Sequence, residues 1–140
     1  MSKFVLDLDD DFPFEVFGIA ATTKDYRLCW SLNKELGFGF KRLNPLSVYS
    51  KQRDKIDHGF FFYEDEALQV KYRLIENKVG ASKFLPEIVK ADFVIIVDES
   101  PAFEGDKFLD EMKKIRSVLM AFRINLDELK FKDNILLTAW

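Results

Sequence analysis

Apolar side chains at Leu68, Val70, Tyr72 and Leu74 alternate with Gln69, Lys71 and Arg73. That two-residue period predicts a strand buried on one face, with Lys71 and Arg73 on an outer, solvated one. Ala91 to Val97 (ADFVIIV) is apolar almost throughout and predicts a central strand covered on both faces. Phe14 to Ala21 (FEVFGIAA) is rich in β-formers and predicts a further strand, paired with one over residues 3–8 through a turn at Asp9-Asp10-Asp11. Elsewhere the period is helical. Leu28, Cys29, Leu32 and Leu36 recur on one face, with Tyr26 and Trp30 expected to widen the stripe. Thr22 or Thr23 is the expected N-cap of that helix, Asp25 suits its first turn, and Gly37 sits where a left-handed residue would end it. Phe108, Met112, Ile115, Leu119 and Phe122 follow a four-three-four-three spacing that predicts a second helix over about 105–121. Asp110 and Lys114 add an i,i+4 pair on its exposed side.

The intervening segments are less periodic. Phe38–Leu43 suggests a strand, residues 44–58 a polar loop, and Gly59–Tyr63 a strand turned by Glu64-Asp65-Glu66 into Ala67–Glu76. Asn77–Ser82 reads as a turn and Asn134–Ala139 as a last strand. Several of these strands are joined by turns too short for a parallel crossover. The expected fold class is therefore α+β, a mostly antiparallel sheet with two main helices packed on one face. No linker, repeat or break in composition divides the chain, so residues 1–140 are expected to form a single globular domain.

Composition sharpens this in three places. A chain of this mass buries roughly 68% of its extended surface, enough for a core without disulfides or a structural metal. The fifteen phenylalanines supply that core rather than an aromatic surface. The net charge of −3 argues against a nonspecific binder of nucleic acid or membrane surfaces, although residues 41–90 carry ten Lys/Arg against seven Asp/Glu. Cys29 is the only cysteine and His58 the only histidine, so a disulfide within the chain and a multi-Cys or His-pair zinc site are excluded. The N-terminus turns acidic at once, which does not fit a signal peptide, and no apolar run nears the ~18 residues of a membrane span. A cytoplasmic protein is expected.

Four strings could carry chemistry. Asp7 and Asp9 follow an apolar segment as in haloacid-dehalogenase-type phosphatases, where one carboxylate attacks phosphorus and the other is acid/base beside Mg²⁺. Asp11 then stands where that motif has Thr or Val, and a solvated turn explains the acids as well. Gly37-Phe38-Gly39-Phe40 echoes the ribonucleoprotein consensus of RNA-recognition motifs. With Lys41, Arg42, Lys71 and Arg73, Phe38 and Phe40 could form a basic, aromatic RNA face. Cys29 and His58 could pair as nucleophile and base, but Cys29 lies on the apolar face of its helix. None of these requires an enzyme, and no cofactor or metal is implied.

The segment Phe84-Leu85-Pro86-Glu87-Ile88-Val89-Lys90-Ala91-Asp92-Phe93 resembles the eponymous pattern of the IPExxxVDY family, small bacterial proteins without an assigned activity. Pro86, Glu87 and Asp92 match identically; Leu85, Ala91 and Phe93 replace Ile, Val and Tyr. The resemblance implies no activity. Physically, Pro86 suits the first turn of a short helical segment, Ile88 and Val89 would be apolar pegs, and Glu87 and Asp92 would satisfy backbone amides or face a partner. The function expected is a non-catalytic binding or protein-interaction module, a homodimer or an adaptor. An RNA-binding face and an Asp-dependent phosphohydrolase are the alternatives.

Overall fold

The computed structural model describes residues 14–22, 26–49, 54–129 and 133–136; the strand expected over residues 3–8 and the turn at 9–11 lie outside them. The chain runs β1 (Phe14–Ala21), α1 (Tyr26–Leu36), β2 (Lys41–Tyr49), β3 (Lys55–Asp65), β4 (Val70–Glu76), β5 (Lys78–Val79), β6 (Ser82–Lys83), β7 (Phe93–Asp98), α2 (Gly105–Lys113), β8 (Val118–Ile124), a 3₁₀ turn (Leu126–Glu128) and α3 (Asp133–Leu136). Six strands form one sheet in the order β2-β3-β4-β7-β1-β8, every neighbouring pair antiparallel, and β5 pairs with β6 in a separate hairpin. The protein is α+β, as its periodicities predict.

Alternation sorts the sheet's side chains into two cores. Phe17, Ile19, Tyr72, Leu74, Ile95 and Val97 meet Leu28 and Leu32 of α1 and Phe108 and Met112 of α2. Val16, Phe60, Ile75, Val94 and Ile96 point the other way, against Phe84 and Leu85 of the segment before β7 and Leu129 and Ile135 near the C-terminus. The central strand β7 is buried on both faces, as its continuous apolar run requires.

The covered second face corrects the expectation for β4. Arg73 is only 1% exposed, its guanidinium lies over the rings of Phe14 and Phe62, and Nη1 donates to Asp98 Oδ1 at 2.7 Å. Within the segment expected as a loop over 44–58, residues 44–49 belong instead to β2 and 55–58 to β3, while 50–53 lie outside the described residues. On the edge strand β2 most side chains are solvated, so no in/out alternation announces it. Pro45 fits at a register shift between Leu43 and Leu46, where a missing N–H breaks no ladder bond.

The second helix is shorter than its stripe suggests. It ends at Lys113, and Val118–Ile124 forms β8, so the positions of Leu119 and Phe122 are strand positions. Ser117 C=O accepts Thr22 N–H at 2.8 Å, tying the chain to the end of β1 where the helix would otherwise continue. Leu119 is left over in the register between Ala20↔Met120 and Ala21↔Val118, a bulge that turns it outward. Asp133–Leu136 is a turn of helix where a strand was expected from Asn134.

Candidate functional site

The motif segment is a plug on the second face, organised around Asn77. This residue follows β4, is fully buried, and uses every polar atom of its side chain. Nδ2 donates to Ile88 O and Ala91 O, both at 2.9 Å, and Oδ1 accepts from Leu85 N at 2.8 Å. Its main chain accepts from Phe84 N and donates to Asp92 O. One asparagine thus closes both ends of the loop, seating Phe84 and Leu85 in the core. Local reading takes it for a turn residue, because its partners lie eight to fourteen positions on.

Within the plug, Pro86 does not start a helix. Leu85 C=O accepts Ile88 N–H at 3.0 Å, a single turn with proline second, a position suited to its fixed φ. Pro86 and Glu87 are exposed, Ile88 is half-buried, and Val89 is exposed rather than a peg. Ala91 and Phe93 are buried. Asp92 prolongs the ladder: its N–H donates to Ile19 O at 2.8 Å, and its Oδ2 accepts from Ala21 N at 3.0 Å. Lys78 Nζ stands 3.8 Å from its other oxygen, a half-exposed contact of little energetic weight.

The six residues considered for RNA do not share a surface. Phe40 is buried, and Phe38 is half-buried in a cluster with Tyr63, Tyr72 and Phe108 on the helix side. Arg73 is buried on the opposite face against Asp98. Lys41 and Arg42 are exposed on the edge strand β2 and Lys71 is half-buried. Gly37, at φ 70°, is the helix stop the sequence suggests.

Cys29 and His58 lie on opposite sides of the sheet and cannot act as a pair. Cys29 sits in the helix-side core, where burial pushes its thiol up to about 11, away from the thiolate that nucleophilic attack requires. His58 shares the second face with Phe60 through the strand period, and is fully buried. Its Nδ1 lies 2.6 Å from Glu76 O and its Nε2 2.9 Å from Ser82 Oγ. A carbonyl only accepts, so Nδ1 carries the proton and Nε2 accepts from the serine. Burial holds the imidazole below its ordinary value of 6.5, against the opposing pull of that carbonyl and of Asp57. Asp7 and Asp9 lie outside the described residues. Among the described residues, no group of three His, Cys, Asp or Glu side chains is placed to hold a metal, and no helix is long and apolar enough to cross a membrane.

One surface feature departs from ordinary composition. Tyr26 and Trp30 are 61% and 59% exposed on α1. At 3.6 residues per turn they stand about 160° and 200° around the helix from Leu28, far outside the stripe of Leu28, Cys29, Leu32 and Leu36 that they were expected to widen. Arg27 and Lys34 share their side, and Lys34 Nζ lies 4.7 Å from the centre of the Trp30 ring. No family model matches this chain, and no curated protein or solved structure matches it either.

Proposed function

We propose that the chain is a non-catalytic protein-interaction module, working in the cytoplasm, that docks through the outer face of α1. The observation that carries this reading is the exposed pair Tyr26 and Trp30, one turn apart. Exposed aromatics spaced to present one edge of a helix are the residue types that dominate interface energetics. The cations beside them, Arg27 and Lys34, select the occupant: a partner protein whose surface sets an apolar pocket among carboxylates. The motif of Leu85, Pro86, Glu87, Ala91, Asp92 and Phe93 supports membership of the IPExxxVDY family, with the plug as its structural part.

A photo-crosslinking amino acid at Lys34, one turn from Trp30 on the same side of α1, tests this in the cells of origin, with Lys107 on α2 as the control position. A discrete crosslinked species at Lys34 alone is expected, with an acid-rich partner surface. Trp30→Ser should weaken that contact roughly 30-fold, the loss typical of a central aromatic anchor. Its effect on stability should stay within about 0.5 kcal/mol, as for an exposed side chain. Equal crosslinking at the two positions, or a species that survives Trp30→Ser, overturns the proposal.

A further inference from the structure

We propose that Ser82 is a nucleophile activated by His58 that accepts acyl groups from small activated carboxylic esters in a stoichiometric transfer. This inference is independent of the docking face on α1. Three groups stand in line: Ser82 Oγ lies 2.9 Å from His58 Nε2, and His58 Nδ1 lies 2.6 Å from Glu76 O. The carbonyl fixes the ring's orientation and tautomer, leaving the Nε2 lone pair aimed at the hydroxyl, the relation that nucleophile, base and orienting group must have.

Placement favours access by a reagent to the serine and not to the base. His58 is fully buried, whereas Ser82 is half-buried at the start of β6, in a hairpin whose tight turn uses Gly80 at φ 58°. Ser82 is thus partly exposed while its Oγ reaches the buried imidazole. The imidazole is also neutral at pH 7, because its burial outweighs the pull of the Glu76 carbonyl and Asp57. In the step itself, Ser82 Oγ bonds to the ester carbonyl carbon while its proton passes to Nε2. The bond to the leaving alcohol then breaks and that alcohol takes the proton. An acyl-serine, a free alcohol and a neutral His58 remain.

The experiment uses the full chain and p-nitrophenyl acetate, with acetylated positions mapped and timed by peptide mass spectrometry. Ser47 is the internal reference, because its Oγ donates to the Asp57 carboxylate at 3.0 Å instead of to an imidazole. Ser82 should acetylate on the order of 10²-fold faster than Ser47, the usual gain from a positioned general base. Its rate should level off above about pH 6.5, where a histidine with a lowered value is already deprotonated. His58→Gln should bring Ser82 down to the rate of Ser47; if that variant does not fold, the ratio and pH profile of the wild type decide alone. Acetylation of Ser82 no faster than of Ser47, labelling confined to lysines, or a rate that keeps rising with hydroxide overturns the proposal.

Discussion

At the scale of single residues, the buried polar groups set the protein's response to its surroundings. His58 is held neutral by burial, and its folded-state value lies below the ordinary 6.5. Below pH 6.5 the unfolded chain therefore binds a proton that the folded chain refuses. Stability rises with pH wherever the unfolded state holds more protons, so this contribution is complete above about pH 6.5 and is lost as pH falls below it. Each pH unit inside that window should cost up to about 1.4 kcal/mol. Urea titrations of wild type and His58→Gln between about pH 5 and 7 isolate it, since carboxylates titrate alike in both. The wild-type slope should exceed that of the variant, and equal slopes would mean that His58 is not shielded. Such a site was hard to see in the sequence: within Asp57-His58-Gly59 the histidine looks solvated, and Glu76 and Ser82 become its neighbours only once β3 pairs with β4 and the β5–β6 hairpin folds back. Asp92 was easier, because a carboxylate just before an apolar strand has few uses except to accept an amide, and it does so from Ala21.

Among the elements, legibility depended on how completely a segment is buried. The alternation in β4 and the unbroken run in β7 both come from buried strands, and both strands were apparent from sequence, although the alternation hid that the Arg73 side of β4 is covered too. The solvated edge β2 has no such pattern: a strand was read only as far as Leu43, and its remainder from Asn44 was taken for a loop. The region after α2 failed for another reason. Phe108, Met112 and Ile115 are core residues, and two further apolar positions happened to prolong their spacing across a tertiary anchor at Ser117. A pair of substitutions separates the two readings. Ile115 is buried, so Ile115→Ala should cost about 2–4 kcal/mol. Leu119 is 69% exposed on the bulge of β8, so Leu119→Gln should change stability by less than about 0.5 kcal/mol. Had the helix run on to residue 121, both would be core positions and both changes would be severe. Chemical denaturation of the two variants under one buffer decides it.

For the whole molecule, the question is whether two cores on opposite faces of one sheet behave as separate units. They share backbone: Phe17 and Val16 are neighbours on β1, Leu74 and Ile75 on β4, Ile95 and Ile96 on β7, and each pair divides between the faces. Losing the plug would expose Val94 and Ile96 and unpair Asp92 from Ile19, which loosens the very strands that α1 and α2 cover. Unfolding should therefore be a single cooperative transition. Asn77→Ala removes a donor pair and an acceptor from three buried backbone groups, and with each unsatisfied group costing about 1–3 kcal/mol the loss should be roughly 3 kcal/mol or more. Leu32→Ala, under α1 on the other face, should cost about 2–5 kcal/mol by leaving a cavity. Both variants should move one and the same transition, with far-ultraviolet and near-ultraviolet dichroism giving coincident midpoints. Tyr63 and Tyr72 lie among the helix-side aromatics, so the near-ultraviolet signal reports chiefly on that face. If Asn77→Ala split the transition, leaving the tyrosine signal at its wild-type midpoint while backbone signal fell earlier, the plug would be a separable flap and the two faces independent.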